Sequence, residues 1–187
     1  MCNRDEKVVP LFSKTVVITG KHAQYMKALA NSFDTNLKQG FFKRNLDVYL
    51  IAPIIGKLYG RKAEADNSIA DDTKIFVEQL NGEIENLMFN YRLIVLLEDR
   101  NDEELEERCN RAFRYDKNMD KRQYGDKIFN EYVLGGIEFL YEKLIGESTS
   151  TDELIENAYT LIDSFNDDFK ESFSFDEIEK LSILSSV

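Results

Sequence analysis

Between Asp71 and Glu98 the apolar residues Phe76, Leu80, Ile84, Leu87, Tyr91 and Ile94 recur at steps of three and four. That spacing puts them on one face of an α-helix and leaves polar residues on the other. The same periodicity runs from Lys21 to Phe33 and through Leu154, Ala158, Leu161, Phe165 and Phe169. Ser150 with Glu153, and Ser174 with Glu177, have the spacing of capping boxes and predict two helix starts, while Asn101 with Glu104 predicts an N-cap for a segment reaching about Tyr115. A further helix is expected over Gly125–Ile145. Phe41 to Ile51 fits either period, because Leu46, Val48 and Leu50 alternate with Asp47 and Tyr49. Pro53 predicts a new helix beginning there and running to about Ala65, since proline is tolerated in a first turn and disfavours helix before it. Thr15–Thr19 is β-branched throughout and predicts one short strand. The fold class is therefore all-α, mainly helical, with at most one short N-terminal strand.

A chain of 187 residues with only two prolines, no internal repeat and no low-complexity linker predicts one helical domain over 1–187. Residues 1–14 are expected to be a flexible N-terminus and 147–187 an acidic C-terminal helical segment. Apolar residues make up 43% and charged residues 32%, with 13 Phe and 9 Tyr, which suits a packed core and excludes a disordered chain. The longest stretch without charge, Val48–Gly56, is far short of the roughly 20 residues that span a bilayer, and the charged N-terminus does not resemble a signal peptide. Cys2 and Cys109 are too few and too isolated for a disulfide framework, so a reducing, cytoplasmic setting is expected.

Net charge is −11 and unevenly placed. Residues 147–187 hold eleven Asp and Glu against Lys170 and Lys180, whereas 38–62 carry Lys38, Lys43, Arg44, Lys57, Arg61 and Lys62 against Asp47 alone.

Catalytic chemistry finds little footing. His22 is the only histidine, so it has no second imidazole to share a metal, and a structural or exposed role is expected. Cys109 lies among Glu106, Glu107, Arg108 and Arg111 without a nucleophile motif and reads as a small hydrophobe. Thr19-Gly20-Lys21 lacks the glycine five residues earlier that a phosphate-binding P-loop needs. The acidic clusters Glu64, Asp66, Asp71, Asp72 and Glu98, Asp99, Asp102, Glu103, Glu104 follow no calcium-loop pattern and are expected at helix N-termini, offsetting the helix dipole. No catalytic residue, metal site or cofactor is predicted, and the expectation is a non-enzymatic protein.

Two surface features remain. Ala52, Gly56 and Gly60 lie four residues apart and would line one helix face with small side chains, letting another backbone approach closely, whether from this chain or from a partner. With Lys57, Arg61 and Lys62 they form the expected partner-binding surface of an adaptor or accessory subunit that binds a protein or a second copy of itself. Arg111, Arg114, Lys117 and Lys121, interleaved with Phe113, Tyr115 and Tyr124, would suit nucleic-acid phosphates and bases, which makes a nucleic-acid accessory factor the alternative. The acidic C-terminal segment adds a third possibility, a DNA mimic that inhibits a DNA-binding protein.

Overall fold

The computed structural model describes residues 10–30, 40–98, 104–115 and 118–169. Among them are seven α-helices and one two-stranded sheet, in the order β1 (Val16–Thr19), α1 (Gly20–Ala30), α2 (Asn45–Leu58), β2 (Asp72–Ile75), α3 (Val77–Gly82), α4 (Ile84–Leu97), α5 (Leu105–Phe113), α6 (Met119–Leu144) and α7 (Thr151–Phe169). The mainly helical class is as expected. The proposed caps at Asn101 and Ser174, and Lys38, Lys117 and Cys2, lie outside the described residues. No helix among the described residues is long and apolar enough to cross a membrane.

The strand expected at the N-terminus finds its partner inside the segment read as the start of the longest helix. β1 and β2 run antiparallel with Val16 opposite Ile75 and Ile18 opposite Thr73. Ile18, Thr73 and Ile75 are buried while Val17 and Lys74 face outward, a period of two that the longer helical pattern had masked. The Asn45 side chain donates to the Thr73 hydroxyl at 2.8 Å and ties the sheet to the start of α2. Phe76, expected on the buried stripe, is exposed; Leu80, Leu87, Tyr91 and Ile94 are buried as their spacing predicts.

The second correction concerns Pro53, which sits in the interior of α2 and not at its start. A proline there lacks the N–H that the preceding turn needs and costs a helix about 3 kcal/mol. Tertiary contacts offset this: Leu46, Val48, Tyr49 and Ala52 are buried before the proline and Gly56 after it, and the Asn90 amide from α4 donates to the Leu50 carbonyl at 2.8 Å. Each fully buried large apolar side chain contributes roughly 2 kcal/mol. The segment that fitted either period is therefore helical from Asn45 onward.

α2 crosses α6 at backbone contact distance. A Cβ on Gly56 would collide with the Tyr132 carbonyl oxygen, and one on Gly136 would collide with that of Ala52. The close approach anticipated from the small-residue stripe is thus made within the chain. Gly60 takes no part in it: it lies beyond the end of α2 with φ +61°, and a Cβ there would meet nothing.

Packing divides the chain near the end of α6, into a unit through Glu142 and a second from Lys143. In the second unit, Glu153 of α7 donates its N–H to Ser150 Oγ at 3.3 Å, and its carboxylate accepts from the Thr149 N–H at 2.7 Å. The capping box expected at Ser150 is thus present, with its return bond one residue early.

Gly136→Ala is expected to destabilise the protein by about 3 kcal/mol, because the crossing must open to admit one methyl group. Gly60→Ala is expected to cost only about 1 kcal/mol, the strain of a side chain at positive φ. Chemical denaturation of the two variants checks the ranking.

Candidate functional site

The residues singled out for partner binding have separate fates. Ala52 and Gly56 are closed off by α6. Arg61 Nη2 reaches both oxygens of Glu142 at 2.8 and 2.9 Å. Lys57 and Lys62 converge on Glu98, donating at 2.9 Å and 2.5 Å, and the Tyr132 hydroxyl donates to the same carboxylate at 2.8 Å. Both ammonium groups also lie about 5 Å from the centroid of the Tyr132 ring, at 5.0 and 4.8 Å, within cation–π range. Glu98 is buried, and burial pushes its carboxyl up, but the bonds from Lys62, Lys57 and Tyr132 outweigh this and hold it at about 2. Glu98 stands at the C-terminal end of α4, so its charge is offset by two lysines and not by a helix N-terminus as expected.

The other acidic cluster is corrected in the same way. Glu64, Asp66, Asp71 and Asp72 fall between α2 and β2 or on β2 itself. The Asp66 carboxylate serves the N-terminus of α1, where its Oδ2 accepts from the Lys21 N–H at 3.0 Å, and the Asp71 backbone carbonyl accepts from the Gly20 N–H at 2.9 Å. Among the described residues no cluster of His, Cys, Asp and Glu is arranged to hold a metal ion.

His22 is fully buried, with Nε2 3.0 Å from Glu138 Oε1, while Lys21 Nζ lies 2.7 Å from the same oxygen. Burial pushes the imidazole below its ordinary value and outweighs the opposing pull of Glu138. The ring is packed in the core with Glu138 as its polar neighbour.

The basic residues proposed to meet nucleic acid are split between two helices. Arg111, buried on α5, donates to the Glu98 carbonyl at 3.1 Å and stacks over Tyr124, and Arg108 donates twice to the Leu96 carbonyl at 3.0 and 2.8 Å. Two arginines thus cap the carbonyl end of α4, where the helix dipole is negative. Arg114 pairs with the Asn110 side chain at 2.7 Å, and Lys121 lies over the Tyr115 ring.

That capping also builds an open groove among the described residues. α4 is apolar on two faces: Leu87, Tyr91, Ile94 and Val95 point into the core, while Met88, Phe89, Leu93 and Leu96 line a groove of about 550 Å³ with Phe113 of α5. Phe89 is 63% exposed and Phe113 50%, and Leu105 and Leu97 lie exposed on the same two helices. Arg92 and Glu85 supply the polar contacts along the groove, with the Arg92 guanidinium 5.7 Å from the Phe113 ring centroid. The sequence carried a signal for it: 89, 93 and 96 repeat the spacing of the core stripe 87, 91 and 94 two residues further on, with Met88 beside them. Single exposed apolar residues are ordinary, but here several lie side by side on a helix already buried on its other side.

Glu98→Gln is expected to cost about 3 kcal/mol at neutral pH, since two lysine charges lose their buried partner. Because folding holds this carboxyl near 2, against an ordinary 4.5, its contribution is present above pH 4.5 and is lost as pH falls toward 2. Denaturation midpoints over that range should fall more steeply for the parent than for the variant. For His22, whose signal is the only histidine resonance in the NMR spectrum, the expected titration midpoint lies below 6.5, and Glu138→Gln should lower it further.

No protein-family model, curated protein or solved structure matches the chain, so its function is argued from this geometry.

Proposed function

We propose that the protein is a non-enzymatic helical interaction protein, and that its partner surface is the α4–α5 groove. The observation that carries this reading is the outward apolar face of α4, Met88, Phe89, Leu93 and Leu96, facing Phe113. From Glu85 to Leu96 the groove runs about 16 Å, three turns of helix. That length suits an apolar helix of a protein partner, anchored by side chains at i, i+4 and i+7. Arg92 and Glu85 border the groove with one charge of each sign.

The polar clusters support this assignment by what they are committed to. Glu98, Lys57 and Lys62 satisfy one another, and His22 is enclosed beside Glu138, so neither group has the exposed, convergent geometry that a substrate requires. Among the described residues the nucleic-acid alternative has less support, with Arg111 buried under α4 and Arg114 and Lys121 on separate elements.

Affinity capture from lysate, with and without nuclease, tests the reading when parent and variants are compared. Phe89→Asp and Phe113→Asp replace exposed side chains and should leave thermal melting nearly unchanged. Each is expected to weaken partner binding at least 30-fold, the loss that follows from about 2 kcal/mol at an anchor residue. Phe76→Asp, which changes an exposed Phe outside the groove, should retain the partner. A partner held equally by the parent and by both groove variants would overturn the assignment.

A further inference from the structure

Helix α7 carries a second surface, independent of the α4–α5 groove. Of its 19 residues only Leu154 is buried. Ile155, Tyr159 and Ile162 are 42%, 67% and 57% exposed, and their spacing of four and three sets them in one line along the helix. A second line lies beside it: Asp152, Glu156 and Asp163 each stand three or four residues from a member of the apolar row, and Asp167 extends the same face. Glu153 is set apart from these, since its carboxylate is spent on the Thr149 N–H at the helix start. Among the described residues none of the four acids in the row is paired with a lysine or arginine, and the sequence from 144 to 169 contains neither residue type.

On α7 the exposed apolar row has no cover among the described residues, and the acids beside it give the same face a negative potential with no lysine or arginine to offset it. One occupant supplies both. We propose that α7 binds a basic amphipathic helix of a partner protein, whose apolar row covers Ile155, Tyr159 and Ile162 while its lysines or arginines face Asp152, Glu156, Asp163 and Asp167. A second copy of α7 does not fit, because α7 has six acidic residues and no basic one, and pairing it with itself sets like charges together. Anionic lipid and nucleic acid are repelled by the same row.

The test uses the full chain and a fluorescent synthetic peptide of 18 residues, leucines on one helical face and lysines along its flank. An isomer of the same composition, scrambled so that no apolar face forms, is the comparison. The amphipathic peptide is expected to bind at least tenfold more tightly than the isomer, by fluorescence anisotropy. Tyr159→Ser with Ile162→Ser should weaken it at least tenfold without changing the helical circular-dichroism signal by more than the fraying of α7. Glu156→Gln with Asp163→Asn should weaken binding and flatten its dependence on salt, whereas Glu64→Gln with Asp72→Asn, which removes the same charge elsewhere, should leave it unchanged. Equal binding of the two peptides would show attraction to an acidic protein and nothing more, and would overturn the proposal. So would loss of binding in Phe89→Asp with none in the α7 variants, which would seat the peptide in the other groove.

Discussion

The crossing of α2 over α6 is the contact on which the other arrangements in the first unit depend. Backbone meets backbone there because Gly56, Gly135 and Gly136 carry no Cβ, and a methyl group on any of the three would strike a carbonyl oxygen or Cα of the opposing segment. The approach brings Tyr132 under the end of α2, and so within reach of Lys57, Lys62 and Glu98. A carboxylate buried with two lysines and a phenol is stable only when all partners are in place, since desolvation alone would expel it. The glycines and the ion cluster are thus two halves of one junction, one excluding side chains and the other requiring them.

From that junction the placement of α4 follows. Its inner face packs in the core, its Asn90 serves the turn interrupted by Pro53, and its carbonyl end is capped by Arg108 and Arg111 of α5. Capping draws α5 alongside α4 and presents Phe113 to the outer apolar face. Polar and basic groups that looked available in the sequence are in this way consumed by structure. The outer face of α4 is left apolar, which is why the proposed interaction surface is the groove and not the glycine-lined helix.

Much of the helical content was legible because amphipathic periodicity reports directly on burial, as Leu80, Leu87, Tyr91 and Ile94 illustrate. Three features were not. Thr73 and Ile75 belong to a strand whose period of two is only four residues long, too short to interrupt the helical pattern around it, and its pairing with β1 spans more than fifty residues of sequence. Pro53 obeyed packing over propensity, with a donor from Asn90 that no local rule supplies. The close approach at Ala52 and Gly56 could be read from spacing, but its partner, the Gly135–Gly136 pair, could be matched to it only in three dimensions. For the candidate site the gap has the same root: charges are conspicuous in a sequence, while their partners, Glu98 for Lys57 and Lys62 and the end of α4 for Arg111, are set by the tertiary fold.

If the α2–α6 junction holds this unit together, its amides should open only when the whole unit unfolds. Native-state hydrogen exchange, followed residue by residue with increasing denaturant, measures this directly. The account predicts that amides at Gly56–Leu58 in α2 and Tyr132–Ile137 in α6 are among the slowest in the unit and share one opening free energy, equal to that of global unfolding. Exchange of the α2 amides through a lower-energy local opening, with α6 and α4 still protected, would contradict it.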